Sequence, residues 1–345
     1  MHRLLISAAE PSGDRLAAEL IAALSKQMPI QARGVAGPAM RAAGVEPIAR
    51  MEDIAVMGLI EVLSHLGTIR RVRTVMEKAI DEGADALVVI DAPDFHLPLA
   101  NRARAQNIPA IGYVSPQIWA WRPGRARHIS ASLDKLLCRF SFEPELYPDL
   151  DTTWVGHPVV DRLPRRQDPD PNLYGLLPGS RKHELQRMLP VFLETASLIK
   201  QRHPEAQFLL ACPPQMQDAL PALPDHITAT NGGVTALKNA RAALTKSGTI
   251  TLELATMGVP QVVAHRVHPL TYWVGRLLVR GIQHIALPNI LSKRTAVPEF
   301  VQHIPPIELA EAMLALPEHQ HVDLSPLGQG GASVKAASII AEVMR

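Results

Sequence analysis

The fold is decided by two stretches in the second half of the chain: residues 176–181 (LLPGSR) and residues 245–253 (TKSGTITLE). Each stretch follows a short apolar run that is typical of a buried strand, and each opens a segment with helical periodicity. Small residues at such a turn let the backbone come close to a ligand, and the free N–H groups of the new helix favour an anion. The pair therefore predicts two strand–turn–helix units that hold a phosphorylated ligand.

The side chains around the two turns indicate what kind of ligand this is. Arg181 ends the first turn, and its planar guanidinium suits a phosphate group. Glu253 lies about one helical turn beyond the second turn, where its carboxylate can accept two hydrogen bonds from a ribose diol. Ser247, Gly248 and Thr249 would surround phosphate, although Ser247 or Thr249 acting as a plain helix cap is the alternative. The cap explains the hydroxyl groups but not Glu253, so we favour a nucleoside diphosphate.

The same alternation of strands and helices extends over the whole chain. Apolar runs at 3–7, 31–35, 86–91, 110–114, 136–138 and 153–155 predict strands in the first half, and runs at 173–177, 207–211, 227–229, 242–245 and 261–264 predict strands in the second. Helical patterns separate these runs. Such alternation is typical of α/β proteins with parallel sheets covered by helices on both faces.

A polar, proline-rich stretch at 161–172 divides the alternation into two series. We expect an N-terminal domain over 1–165, a C-terminal domain over 166–330 and a final helix over 331–345, for which packing against the N-terminal domain is one option. Both domains are expected to be Rossmann-like, doubly wound sheets with a cleft between them. Ligands bind at the carboxyl ends of the strands in such sheets.

Composition excludes several classes of protein. The formal net charge of +2 over 345 residues is too small to argue for nucleic acid binding. Cys138 and Cys212 lie far apart and form no CxxC pair, which favours a reducing compartment and no structural zinc. We find no signal-peptide core at the N-terminus and no uncharged apolar run that could span a bilayer. A cytoplasmic protein is therefore expected.

Short segments along nearly the whole chain resemble one enzyme family. They are 10–14 (EPSGD), 90–95 (IDAPDF), 113–116 (YVSP), 119–122 (WAWR), 155–158 (VGHP), 177–181, 247–253, 287–291 (LPNIL) and 298–299 with Gln302. Any one of them is weak evidence, but the ordered set resembles the lipid-A-disaccharide synthases specifically. These are inverting glycosyltransferases of the GT-B architecture.

The resemblance implies a reaction and its partners. The donor would be UDP-2,3-diacylglucosamine, and the acceptor would be lipid X, the 1-phosphate of the same diacylated sugar. The product would be the β-1′,6-linked disaccharide 1-phosphate, with release of UDP. No metal and no cofactor would be needed. The enzyme would work at the cytoplasmic surface of the inner membrane of a Gram-negative bacterium, with a homodimer as its candidate assembly and without nucleic acid.

Catalysis requires a base that removes the proton of the attacking hydroxyl group. Asp91 ends a strand and Asp94 follows it, so both are expected at the ligand-binding edge of the sheet. From the residues alone, Asp94 reads as the cap of the next helix. The resemblance favours Asp94 as the base or an acceptor-positioning group, with Asp91 as its support and Glu10 as the next candidate.

The candidate donor site combines both turns with two residues that rest on the resemblance alone, Asn289 and Gln302. The UDP-sugar-binding set is Gly179, Ser180, Arg181, Ser247, Gly248, Thr249, Glu253, Asn289 and Gln302.

A strongly apolar stretch at 54–66, followed by arginines, forms the candidate acceptor and membrane surface. Its residues are Met57, Leu59, Ile60, Leu63, Arg70 and Arg71. Apolar side chains cover more than one helical face, so one face can pack inward while another contacts an anionic membrane. A helix that is buried all round is the alternative. The proposed acylated substrates favour the membrane.

A second basic cluster combines aromatic residues with arginines, and it consists of Trp119, Trp121, Arg122, Arg125 and Arg127. Base stacking on such a cluster would suit nucleic acid. With so little net charge, we favour local loop packing near the cleft, with binding of the acceptor phosphate as a further option.

Three other functions compete with the glycosyltransferase. A soluble UDP-sugar epimerase would share the two-domain fold but would not need the apolar stretch at 54–66. An NAD-dependent oxidoreductase would carry GxGxxG after the first strand, and residues 10–14 do not supply it. A two-lobed binding protein would normally be exported.

Overall fold

The computed structural model describes residues 1–54, 59–121, 123–217, 220–267 and 284–345. Within these, the side chains of residues 59–65, 120, 121, 123 and 215 are not described. Two compact units make up the chain, Met1–Asp161 with Pro326–Arg345, and Arg162–Ser325. We call them the first and the second unit.

Each unit is built on a sheet of parallel strands. The strands of the first unit are β1 (His2–Ala8), β2 (Ile30–Ala36), β3 (Glu46–Arg50), β4 (Ala86–Ile90), β5 (Ala110–Tyr113), β6 (Lys135–Cys138) and β7 (Asp151–Trp154). Those of the second are β8 (Asp170–Leu177), β9 (Gln207–Ala211), β10 (Ile227–Thr230), β11 (Ala240–Lys246), β12 (Gln261–His265) and β13 (Glu299–Val301).

Helices connect the strands. The α-helices are α1 (Pro11–Leu24), α2 (Pro38–Ala42), α3 (Leu59–Asp81), α4 (Pro93–Ala105), α5 (Ile118–Trp121), α6 (Ala126–Ser132), α7 (Val159–Arg162), α8 (Lys182–Arg202), α9 (Pro214–Gln217), α10 (Thr249–Met257), α11 (Leu287–Ser292), α12 (Pro306–Leu314) and α13 (Ala332–Val343). Short 3₁₀ turns lie at 51–53, 123–125, 144–146, 233–237 and 325–327.

The strand order places a topological switch point at the centre of each sheet. Among the described residues, the first sheet has the order β3-β2-β1-β4-β5-β6-β7 and the second has the order β10-β9-β8-β11-β12-β13. The chain therefore winds in opposite directions on either side of the β1–β4 pair and of the β8–β11 pair. In open parallel sheets, ligands bind beyond the carboxyl ends of the strands at such a point.

Alternate side chains of the central strands enter different cores, because successive residues of a strand point to opposite faces. In β1, Leu4 and Ile6 are buried in a core with Leu20 of α1 and Ile340 of α13. Leu5 is buried on the other face, in a core that includes residues of α3, α4 and α6. Helices thus cover both faces of the first sheet, which explains why β4 is apolar throughout.

The units divide the chain at slightly different points from the domains expected at 1–165, 166–330 and 331–345. Residues just after Asp161 already belong to the second unit, because the Arg166 amide donates to the Met257 carbonyl at 2.7 Å and Arg165 Nη1 donates to the Thr256 carbonyl at 2.8 Å. The final helix α13 belongs to the first unit, where it packs against α1.

Two strands of the structure are missing from the sequence interpretation, β3 and β13. Both lie at the edge of a sheet. The sequence of β3 (EPIAR) contains Pro47 and has a charged residue at each end, which an edge strand tolerates because only one side of it must pair. Such strands lack the apolar run by which a central strand is recognised.

Candidate active site

The carboxyl end of β4 carries a strained turn. Asp91 and Ala92 follow β4 directly and have φ angles of 50° and 45°, and α4 begins at Pro93. Two successive residues with side chains in the left-handed region cost about 1–2 kcal/mol each. Such strain persists only where surrounding structure holds it, and it clusters at functional sites. The turn lies at the switch point of the first sheet.

The buried side chain of His96 is hydrogen-bonded to the backbone of this turn. Its side chain is fully buried, with Nδ1 2.7 Å from the Asp91 carbonyl oxygen and Nε2 2.9 Å from the Ser7 hydroxyl of β1. The Phe95 and His96 amides both donate to the Ala92 carbonyl at 3.1 Å. Burial lowers the pKa of His96 to about 4, against the opposing effect of the Asp91 backbone bond, so the ring is neutral at neutral pH.

The carboxyl group of Asp91 combines accessibility with a dense protein environment. The residue as a whole is exposed to solvent, but the protein packed around the carboxyl group partly desolvates it and so raises its pKa. The positive charge of Arg139, at the end of β6, opposes that rise. Arg139 is half-buried and its guanidinium lies 5.8 Å from the centre of the Phe140 ring. An accessible carboxylate with a raised pKa is suited to accept a proton.

Asp94 has a different environment. Its side chain is 77% exposed and forms an ion pair with Arg125. The N-cap of α4 is Ala92, so Asp94 lies inside the first turn and is not the capping residue that its sequence position suggested. The carboxylate still interacts favourably with the positive end of the helix dipole.

Glu10 and Asp14 flank the first turn of α1 at the same edge of the sheet. Glu10 is exposed and is the N-cap of α1, directly after β1. Asp14 is buried, and its carboxylate accepts hydrogen bonds from the Ala39 and Met40 amides at 2.8 and 3.0 Å. Asp14 thus caps α2, whereas Glu10 lies beside the switch point.

The aromatic and basic cluster lies partly outside the described residues, since Arg122 and the side chain of Trp121 are not described. Trp119 packs edge-on against Phe142 with ring centres 5.6 Å apart, which agrees with loop packing. Arg125 contributes the cation that pairs with Asp94.

The first turn of the second unit follows β8. Gly179 has a φ of 125°, and a Cβ atom there would meet Glu184 at under 3 Å, so only glycine fits without displacing that side chain. Arg181 is the N-cap of α8 and is exposed. Ser180 is also exposed, and its amide donates to Glu184 Oε2 at 3.2 Å.

Glu184 connects the two turns of the second unit. Lys246, at the end of β11, donates to Glu184 Oε1 at 2.8 Å, and Arg181 Nη1 lies 3.5 Å from the same oxygen. The two side chains are only 10% and 20% exposed, for Glu184 and Lys246 respectively. Burial raises the pKa of Glu184, but the bond from Lys246 and nearby positive charge outweigh it and the pKa is lowered. The Glu184 carboxylate is therefore charged at neutral pH, and its hydrogen bond from Lys246 ties the start of α8 to the end of β11.

The second turn follows β11, beside the first, because Thr245 pairs with Leu177 in the sheet. Gly248 is the N-cap of α10 and no side chain caps it, so capping by Ser247 or Thr249 is not observed. The Ser247 hydroxyl donates to the Ile285 carbonyl at 3.0 Å, whereas Gly248 and Thr249 are exposed. Glu253 lies on α10 with Oε1 3.2 Å from Arg162 Nη2.

Asn289 and Gln302 organise loops near β12 and β13. Asn289 is fully buried, its amide group donates to the Val297 carbonyl and to Glu299, and its oxygen accepts from the Ala296 and Val297 amides. Gln302 Oε1 accepts from the Val267 amide at 2.7 Å. Both side chains therefore bond to protein groups.

The candidate membrane surface is described only in part. Met57 lies outside the described residues, and Leu59, Ile60 and Leu63 lie on α3 without a description of their side chains. Arg70 and Arg71 are exposed on α3. No helix in the described part of the chain is long and apolar enough to cross a membrane.

Sequence interpretation missed four residues of these two sites: His96, Arg139, Glu184 and Lys246. Lys246 and Glu184 stand within or next to the quoted turns and could have been noticed by position. Nothing in the sequence around Arg139 indicated a role, because it acts on Asp91, which follows a different strand. His96 is close in sequence to Asp91, but its second partner, Ser7, lies on β1.

Comparison with known proteins identifies the family. The family model for lipid-A-disaccharide synthetase matches residues 4–321. A lipid-A-disaccharide synthase of Geobacter sulfurreducens is 36% identical over 99% of this chain and 97% of its own length. A protein of the same name from Nitrosococcus oceani is 40% identical over 86% of this chain and 82% of its own length. The resemblance noted in the sequence is confirmed.

Solved structures agree on the fold. MurG of Acinetobacter baumannii gives a TM-score of 0.60 at 16% identity, over 99% of this chain and 100% of that chain. A UDP-GlcNAc 2-epimerase of Methanocaldococcus jannaschii, solved with UDP-GlcNAc and UDP, gives 0.63 at 12% identity over the same shares. These similarities show the fold alone, and they confirm the predicted α/β GT-B class. The chain belongs to the lipid-A-disaccharide synthetase family and is a glycosyltransferase of lipid A biosynthesis.

Proposed function

We propose that the enzyme transfers 2,3-diacylglucosamine from UDP to lipid X, with inversion at the anomeric carbon. The observation that carries this proposal is the pair of small-residue turns at the β8–β11 switch point, in a chain of this family. The attacking 6-hydroxyl oxygen of lipid X forms the new bond to C1 as the bond from C1 to the UDP oxygen breaks. UDP leaves from the opposite face, which gives the β-1′,6 linkage.

The second unit is proposed to bind the donor. Arg181, with the amides at the start of α8 and α10, neutralises the pyrophosphate as the leaving group gains charge. Ser180, Gly248 and Thr249 are exposed beside these helix starts. Glu253 accepts from the ribose hydroxyl groups.

Four other members of the donor set would act through the shape of the loops. Because Gly179 has no side chain, the Glu184 side chain can pack against it. The Ser247 hydroxyl donates to the Ile285 carbonyl. Asn289 and Gln302 bond to backbone groups around β13.

The first unit is proposed to supply the base. We assign this role to Asp91, because its carboxyl group is accessible, its pKa is raised and its backbone is held in a strained conformation. Asp91 takes the proton of the attacking hydroxyl group, a contribution of ~10²–10⁴ in rate. Asp94, already paired with Arg125, positions the acceptor, and Glu10 assists at the same edge.

The enzyme is proposed to dock on the cytoplasmic surface of the inner membrane, where acylated sugars reside. Arg70 and Arg71 are exposed on α3, whose apolar N-terminal part includes Leu59, Ile60 and Leu63. Basic residues near an anionic surface contribute about 1 kcal/mol each. Met57 extends the same apolar segment in the sequence. A homodimer is part of this proposal, and light scattering at several protein concentrations would test it.

Neutralising the two arginines should weaken membrane binding. We expect Arg70→Gln with Arg71→Gln to lower affinity for vesicles of phosphatidylethanolamine and phosphatidylglycerol by roughly 30-fold, since two charges are worth about 2 kcal/mol. Vesicle flotation measures the bound fraction. The matched control is Lys26→Gln with Lys238→Gln, two exposed lysines with the same total charge. An equal loss in the control would show a general charge effect and contradict a docking surface on α3.

The reaction itself is tested by incubation of the enzyme with UDP-2,3-diacylglucosamine and lipid X. Mass spectrometry should detect equal amounts of UDP and tetraacyl disaccharide 1-phosphate, and NMR of the product should show the β linkage. The competing function is a soluble UDP-sugar epimerase. Interconversion of a UDP-sugar without lipid X, and no disaccharide, would replace the proposed function with that one.

A further inference from the structure

The strained turn after β4 is linked to the neighbouring strand through one buried ring. Ser7 of β1 pairs with Val89 of β4 in the sheet register, two residues before Asp91. His96 lies behind this pair and is 0% exposed. Its ring nitrogens contact the Ser7 hydroxyl and the Asp91 carbonyl, so the ring spans both strands of the switch point.

The chemistry of the two partners determines which nitrogen carries the proton. A carbonyl oxygen can only accept, so Nδ1 must donate to Asp91 across the distance of 2.7 Å. The ring is neutral at neutral pH and therefore carries one proton, which leaves Nε2 as an acceptor. The Ser7 hydroxyl then donates to Nε2 at 2.9 Å. The Asp91 carbonyl thus selects the tautomer, and the Ser7 hydroxyl, which can donate or accept, stabilises it by donating.

This arrangement is not a nucleophilic triad. Both Ser7 and His96 are fully buried, so a substrate cannot reach the Ser7 hydroxyl. The third partner is a backbone carbonyl rather than a carboxylate, so it cannot stabilise a protonated ring as the aspartate of a triad does. The ring can therefore act on Asp91 only by fixing the backbone from which the Asp91 side chain projects.

We propose that His96 is a positioning residue, which aims the carboxylate of Asp91 at the acceptor hydroxyl by holding the Asp91 carbonyl through Nδ1. The inference rests on the proposed function of Asp91 as the base. Because Asp91 and Ala92 both have left-handed backbones, release of the carbonyl lets the turn relax and redirects the carboxylate. A misplacement of about 1 Å in a catalytic group can cost ~10²-fold in rate.

Two substitutions separate the two ring nitrogens. In His96→Asn, the side-chain amide occupies the place of Nδ1 and can still donate to the Asp91 carbonyl. In His96→Gln, the longer amide reaches the place of Nε2 and keeps only the contact with Ser7. We expect His96→Gln to lower kcat by roughly 10²-fold with an unchanged Kd for UDP. His96→Asn should retain most of kcat.

The outcomes separate a positioning role from a purely structural one. If both variants keep the wild-type kcat, or if His96→Asn falls as far as His96→Gln while both bind UDP normally, His96 does not act through Nδ1. A wild-type enzyme that forms no disaccharide would instead remove the proposed function.

The tautomer can be read without substrate, on the wild-type protein, by ¹⁵N NMR of labelled histidine. The His96 signals, assigned by their absence in His96→Asn, should show a protonated Nδ1 and an unprotonated Nε2. A protonated Nε2 would overturn the inference, whatever the activity of the variants.

Discussion

Asp91→Asn is expected to lower kcat by ~10²–10⁴-fold and to leave UDP affinity unchanged. The amide keeps the shape of the side chain but cannot take the proton from the acceptor hydroxyl. UDP is proposed to bind the second unit, so its Kd should not depend on a residue of the first. Single-turnover disaccharide formation measures the chemical step, and calorimetry with UDP measures the affinity.

The matched control is Asp94→Asn, three residues along the chain. The Asp94 side chain is 77% exposed and paired with Arg125, so we expect its substitution to raise the KM for lipid X more than it lowers kcat. The opposite pattern, with turnover lost in Asp94→Asn and kept in Asp91→Asn, would assign the base to Asp94.

The pH dependence gives an independent check of Asp91. The base acts as a carboxylate, and burial raises the pKa of Asp91 above the ordinary value for aspartate. Activity should therefore fall as the pH drops through this raised pKa, at a higher pH than an ordinary aspartate would give. The residual activity of Asp91→Asn should lack that acid limb. An unchanged acid limb in the variant would show that another group titrates.

Arg181→Ala is expected to weaken UDP binding by roughly 10- to 150-fold, because a charge-assisted hydrogen bond contributes about 1.5–3 kcal/mol. The helix dipole alone contributes only about 0.3–1 kcal/mol, so the guanidinium should dominate. Arg181 is exposed, and the nearby Glu184 already has Lys246 as a closer partner at 2.8 Å. Folding should therefore tolerate the substitution. Calorimetry with UDP gives the change in Kd.

Lys182→Ala is the matched control for Arg181, since Lys182 is also an exposed cation at the start of α8. We expect little change in its Kd for UDP. Equal losses of UDP affinity in the two variants would show that general positive charge, rather than the planar guanidinium group of Arg181, attracts the diphosphate.

The central parts of both sheets could be predicted because their signal is local. β4 consists of apolar residues that are all buried. β9 is apolar from residue 208 to residue 211 and mostly buried there. The edge strands β3 and β13 gave no such signal, because one side of an edge strand faces away from the sheet and accepts Pro47 or charged residues. The strand order could not be predicted from periodicity, which carries no information on neighbours.

The candidate site was predictable where one segment contains all of its parts. The turns around Gly179 and Gly248 combine small residues, a strand end and a helix start within a few positions, so their geometry follows from their sequence. The link between these turns was not predictable, because Glu184 and Lys246 are 62 positions apart and meet only through the pairing of β8 with β11.

By itself the sequence determined the α/β class, the two strand–turn–helix segments that are proposed to bind an anion, and the family through its ordered motifs. All of these are properties of short segments, in which neighbouring residues act together. Only the tertiary structure decided that Ser7 and His96, 89 positions apart, meet behind Asp91, and that Arg139 acts on the same carboxyl group. Contacts of this kind depend on which strands lie side by side, and burial between those strands sets the charge state of the groups they bring together.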